Sequence, residues 1–223
     1  MHEAVRLLRN RDYEAALERL LSLEPEADDY PELSYYLGLC YTHLGRYDEA
    51  LLYLEQVVTS EMGFAYVYQA RMIVGYVYAV TERFRLAEFE FGRLVDDGYE
   101  SAKVYAALGY VLHAQDNVAG AVANLQRALK MDSQNATALN SLGFVMAEND
   151  IKLDLAEDYC RRALAIRPGY PAYLDSLGWV QYKRGKIEEA LEVLRKALIG
   201  APDNQEIQRH LQEVAGAGKR VHG

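Results

Sequence analysis

An apolar residue followed by glycine recurs along this chain at a nearly fixed interval. The pairs are Leu37-Gly38, Val74-Gly75, Leu108-Gly109, Leu142-Gly143 and Leu177-Gly178, spaced 37, 34, 34 and 35 residues apart. A period of roughly 20 to 50 residues restricts a chain to architectures in which one small unit stacks on copies of itself. Twelve or thirteen residues after each glycine comes an alanine, followed by larger and smaller apolar residues at helical spacing: Ala50, Leu54, Val57; Ala87, Phe91, Leu94; Ala121, Leu125, Ala128; Ala156, Cys160, Ala163; Ala190, Leu194, Ala197. Two antiparallel helices of about a dozen residues each, with two short turns, fill one such interval. The glycine and the first alanine let the two helices approach closely. The bulky residues then fill the space between hairpins, because a lone hairpin cannot bury its apolar face. Turn chemistry agrees, with Gly45-Arg46-Tyr47 and Gly185-Lys186-Ile187 inside hairpins and Pro168 and Pro202 just after second helices. Only 5 of the 223 residues are proline and 51% are hydrophobic, so long helices with a substantial core are available to the chain.

The repeat resembles the tetratricopeptide repeat, whose pattern is W-x2-L-G-x2-Y, then A-x3-F, then P. The resemblance implies an all-α, right-handed superhelical solenoid of antiparallel helix hairpins. About five and a half repeats are expected, at 31–64, 68–101, 102–135, 136–170 and 171–204, with a partial repeat over 1–30. In the partial repeat Tyr13, Ala16, Leu20 and Leu23 match Tyr47, Ala50, Leu54 and Val57 at a constant offset of 34, which marks 11–24 as a second helix. Its first helix is short at Met1, either because the chain was cut from a longer protein or because the helix is naturally short. Ile207, Leu211 and Val214 share one face of a capping helix over 205–214, and the Gly-rich segment 215–223 is expected to be a flexible tail. The whole of 1–214 is expected to form one solenoid domain.

Two departures from the pattern stand out. Glu61 to Val67 holds three extra residues, with Met62 where proline often ends a second helix, so the joint there is expected to be altered. Asp150 to Asp154 holds one extra residue, expected to lengthen a hairpin loop without disturbing the stack.

In the family that the chain resembles, first helices line the concave face. The position after the glycine supplies Leu39, Tyr76, Tyr110, Phe144 and Trp179, an apolar row with four consecutive aromatics. Four residues earlier stand Tyr35, Met72, Ala106, Asn140 and Asp175, and three residues later Thr42, Ala79, His113, Ala147 and Tyr182. From these, Tyr35, Leu39, Met72, Tyr76, Tyr110, His113, Asn140, Phe144, Asp175, Trp179 and Tyr182 are the candidate partner-binding residues. Tyr110 and Trp179 are the principal ones. Such rings either grip a peptide through large, low-entropy surfaces or pack against neighbouring first helices. The groove charges are sparse and mixed: Glu32, Lys103, Glu148, Asp175 and Lys183. A carboxylate clamp of the chaperone-binding kind is not expected, since Lys103 and Asn140 stand isolated, nor is the asparagine ladder of sugar-transferase repeats.

No catalytic or metal-binding constellation accompanies the repeat. His2, His43, His113, His210 and His222 show no ligand spacing with cysteine or acid, and Cys40 and Cys160 fall on helix faces that suit core thiols. No cofactor is expected. A formal charge of −9 lacks the basic footprint that nucleic-acid binding requires. No run of about 18 apolar residues and no export signal is present, which favours the cytoplasm, with the periplasm open if the N-terminus was cut.

The reading that follows is a non-catalytic interaction scaffold or adaptor that binds a peptide or partner protein in its groove, within a larger assembly. Residues 138–198, particularly Leu139-Asn140-Ser141-Leu142-Gly143 and the run from Ala172 to Trp179, are similar to repeats of bacterial envelope and assembly proteins. The alternatives are self-association, through the cluster Phe64, Tyr66, Tyr68, Tyr76 and Tyr78, or service as the recognition arm of a longer enzyme.

Overall fold

The computed structural model describes residues 1–24, 26–60 and 63–221. The described residues form thirteen α-helices and one short 3-10 turn, with no strand. They fall into two compact units, Met1–Glu100 and Ser101–Gly223. The first holds α1 (His2–Arg9), α2 (Tyr13–Leu21), α3 (Tyr30–His43), α4 (Tyr47–Val58), α5 (Phe64–Val80) and α6 (Phe84–Asp96). The second holds α7 (Ala102–Ala114), α8 (Val118–Met131), α9 (Ala136–Glu148), α10 (Leu153–Ile166), α11 (Pro171–Lys183), α12 (Ile187–Gly200) and α13 (Gln205–Val221). The unit boundary coincides with the junction between the repeats expected at 68–101 and 102–135.

Six hairpins share one turn. The second residue past each first helix is left-handed: Arg11, Gly45, Glu82, Asp116, Asp150 and Gly185. The next amide donates to the carbonyl five residues back, as in Arg46 N to Tyr41 O at 2.9 Å, Asn117 N to Leu112 O at 2.9 Å and Ile151 N to Met146 O at 2.8 Å. This 6→1 bond closes the helix C-terminus and reverses the chain. Side-chain caps then start several helices: Asp12, Ser101, Asn117, Asn135 and Asn204 each accept from the amide three residues on.

Inside each hairpin the expected contacts are present. A Cβ placed on Gly38, Gly75, Gly109, Gly143 or Gly178 would lie 2.4–2.6 Å from the side chain of Leu54, Phe91, Leu125, Cys160 or Leu194 respectively. Ala50, Ala87, Ala121, Ala156 and Ala190 are fully buried beside them. Burial pushes both Cys40 and Cys160 up to about 12, so these thiols stay protonated within the core.

The two irregular joints are accommodated differently. Extra residues before the second full repeat lengthen its first helix, so α5 starts at Phe64 rather than 68 and runs for 17 residues. Glu61 and Met62, where the joint was expected to change, lie outside the described residues. In the α9–α10 turn the extra residue is taken up by a second left-handed position, Lys152 with φ 41°, in addition to Asp150.

The C-terminal segment differs from the expectation. Helix α13 does not stop at Val214 but continues to Val221. Small residues permit this: a Cβ on Gly218 would lie 3.3 Å from Ile187 Cγ2, so the later turns of α13 fit against the start of α12. Of the two glycines there, Gly218 is the one set against α12, whereas a Cβ on Gly216 would meet nothing within 4 Å.

Candidate functional site

The first helices of each unit form clefts between them. In the second unit a cleft of about 230 Å³ is bounded by Tyr110 and His113 of α7, Asn140 and Phe144 of α9, Asp175 and Ser176 of α11, and Glu206 of α13. Five candidate residues therefore meet at one place: Tyr110, His113, Asn140, Phe144 and Asp175. Tyr110 is 51% exposed. Two polar atoms of this cleft, His113 Nδ1 and Asn140 Oδ1, are shut off from solvent and have no hydrogen-bond partner. Leaving such a group unpaired costs about 1–3 kcal/mol.

The aromatic row is interleaved with histidines. His113 meets Phe144 edge-on at 5.9 Å, Phe144 lies 6.2 Å from His210, and His210 stacks on Trp179 at 4.3 Å with the planes 22° apart. His210 is fully buried, and its Nδ1 lies 3.0 and 2.9 Å from the two Asp175 oxygens. This histidine–acid pair was missed at the level of sequence, where no histidine was matched to an acid. Its signal is the separation of 35 residues, one repeat length, which sets the two on adjacent first-helix positions.

Trp179 is not open as expected. It is only 7% exposed, because α13 brings His210 over its ring and Glu148 accepts from its indole Nε1. Tyr182 is half-buried and tilts against Trp179 at 5.2 Å. Both residues lie outside the cleft.

In the first unit, a cleft of about 490 Å³ between α1, α3 and α5 includes Tyr35 and Leu39. Another, of about 610 Å³, includes Leu39, Met72 and Tyr76. Tyr35 is buried, donates to Gln69 Oε1 at 2.5 Å and packs edge-on against Tyr36 and Tyr66. Tyr76 is 49% exposed. Burial raises the tyrosine hydroxyls, Tyr35 and Tyr76 upward and Tyr36 to about 12, so they serve as neutral donors. Of the other aromatics in the cluster considered for self-association, Tyr66, Tyr68 and Tyr78 are half-buried and engaged by Tyr35, Tyr99 and Glu55, while the side chain of Phe64 lies outside the described residues.

Most groove charges are used to fix neighbouring repeats. Tyr66 donates to Glu32 at 3.4 Å, Trp179 to Glu148, His210 to Asp175, and Lys183 to Asp150 at 3.1 Å. Each pair is separated by about one repeat. Lys103 is exposed.

Comparison with known proteins agrees with this architecture. Three family profiles match: tetratricopeptide repeat over residues 3–63, TPR repeat over 109–150, and tetratricopeptide repeat over 171–196. The chain belongs to the tetratricopeptide-repeat family. It is 37% identical over 90 residues to a TPR repeat-containing protein of Pseudomonas aeruginosa, and 26% identical over 189 residues to the protein O-mannosyl-transferase TMTC1 of Homo sapiens. These matches take in 40% and 83% of the chain but only 15% and 21% of the two relatives' lengths.

Among solved structures it is similar to TTC0263, a thermophilic TPR protein of Thermus thermophilus, with TM-score 0.67, 21% identity and coverage of 83% of this chain and 98% of that one. It also resembles YrrB, a TPR protein with an unusual peptide-binding site, at TM-score 0.57 and 22% identity over 88% of this chain and 96% of that one. A chain of the APC/C hetero-tetramer Cut9-Hcn1 gives TM-score 0.80 at 17% identity, covering 93% of this chain and 40% of that one. At these identities the likeness is one of fold. No described helix is long and apolar enough to cross a membrane.

Proposed function

We propose that this chain is a non-catalytic scaffold that binds a peptide or partner-protein segment along the face made by its first helices, within a larger bacterial assembly. The observation that carries this reading is the second-unit cleft, where five first-helix residues converge around two unpaired polar atoms beside a half-exposed tyrosine. Rigid aromatic rings next to unsatisfied polar groups suit an extended backbone, which offers both contact area and hydrogen-bonding groups. The family supports a binding role: YrrB is a TPR protein with an unusual peptide-binding site, and Cut9-Hcn1 is a hetero-tetramer of the APC/C.

A second reading, that these repeats form the recognition arm of a longer polypeptide, draws on the greater lengths of the two relatives. Both readings place binding on the same face.

The test uses short peptides selected against the full chain. Tyr110→Ala and Phe144→Ala should each weaken binding by about tenfold or more, in keeping with loss of an aromatic anchor, while helicity by circular dichroism is unchanged. Unaltered affinity in both variants would contradict the proposal. Trp179 is unsuited to this test because it is packed inside the fold.

A further inference from the structure

On the reading that this face binds a protein segment, we infer that the second-unit cleft receives a basic side chain, lysine or arginine, projecting from that segment. The charged groups lining the cleft are two carboxylates, Asp175 and Glu206, alongside the amide of Asn140, the hydroxyls of Tyr110, Ser141 and Ser176 and the imidazole of His113. Asn140 Oδ1 is buried and receives no hydrogen bond. Ser176 Oγ already donates to Ala172 O at 3.0 Å, so only its lone pairs remain. Asp175 is 5% exposed and meets His210 Nδ1. Arg209 Nη2 lies 3.2 Å from His210 Nε2, and an arginine can only donate, so that nitrogen accepts and the ring proton sits on Nδ1. Exposed Glu206 adds a second carboxylate at the rim, and no lysine or arginine lines the cleft among the described residues.

A cationic head complements the two carboxylates, exposed Glu206 first, with three N–H donors in an ammonium and five in a guanidinium. Phe144, Val145 and Ala172 provide apolar wall for the aliphatic stem, and the rings of Tyr110 and Phe144 attract a cation to their faces. The volume of about 230 Å³ suits a single side chain; small-molecule sites run to roughly 300–1,000 Å³. An acidic or phosphorylated residue would face two carboxylates. An aliphatic one would leave Asn140 Oδ1 unpaired.

Short random peptides displayed on phage and selected on the full chain provide the probe, followed by synthesis and titration by fluorescence anisotropy. Bound peptides should share one arginine or lysine, whose replacement by citrulline or norleucine weakens binding about tenfold or more. Glu206→Gln, an exposed change that leaves the core intact, should weaken it about threefold and reduce its salt dependence. Peptides that lose affinity with Tyr110→Ala yet tolerate both replacements and Glu206→Gln would overturn the inference and leave the face reading standing. Indifference to Tyr110→Ala as well would overturn both. Displacement of the peptide by an equal concentration of spermidine would also overturn it, assigning the cleft to a free amine.

Discussion

Glu157 shows how a single charged residue ties one repeat to the next. It lies on a second helix with its side chain 5% exposed, yet it accepts from Arg161 at 2.6 Å, from Lys186 at 3.0 Å and from Arg184. Burial alone would raise its carboxyl. The hydrogen bonds from Arg161, Lys186 and Arg184 outweigh that effect and bring it from 4.5 down to about 2. A folded-state value below the unfolded one means that the ionised group stabilises the native state above the unfolded value. That contribution is lost as pH falls from about 4.5 toward about 2. Urea denaturation at neutral pH should therefore find Glu157→Gln less stable than the parent, with the difference shrinking toward pH 2. A gap independent of pH would contradict the assignment. Arg184 and Lys186 belong to the α11–α12 turn, so this network joins two hairpins and is not confined to one helix.

At the level of elements, α13 performs the work of an additional first helix. Ile207 and Val214 are buried, and His210 fills the space between Phe144 and Trp179 while holding Asp175. Trp179 is the sole tryptophan of the chain, so its emission reports on this contact directly. Removing the imidazole leaves a buried carboxylate without its donor. His210→Ala should shift the emission to the red and cost roughly 2–4 kcal/mol in unfolding free energy. Unchanged emission would mean that α13 docks without His210.

The hairpins themselves were legible in the sequence, because a 34-residue period with glycine and alanine at fixed places leaves few ways to bury the apolar residues. The extent of α13 was less so: its Gly-rich end reads as a tail until the contact of Gly218 with Ile187 is seen. The position of Trp179 on the row was legible, and its burial was not. Accessibility of a first-helix residue is decided by the helix one repeat further on, and the sequence assigned α13 no role against α11. Tyr110 remains half-exposed, whereas Trp179 is covered by the His210 ring.

Across the molecule, two units repeat one construction and differ in what they leave open. The first offers larger clefts lined by tyrosines, and the second a smaller cleft with two unpaired buried polar atoms and acidic groups. This difference supports selective binding, since a partner must satisfy buried polar groups in addition to covering rings. The two relatives carry similar repeats within larger proteins, since the chain matches only 15% and 21% of their lengths. A partner segment seated on the first-helix face of the second unit would shield the amides of those helices from solvent. Amide hydrogen exchange of the full chain, free and saturated with a selected peptide, tests it directly. Added protection is expected in α7, α9 and α11 with little change in α8, α10 and α12; protection confined to those second helices, or absent throughout the second unit, would mean that the segment binds elsewhere.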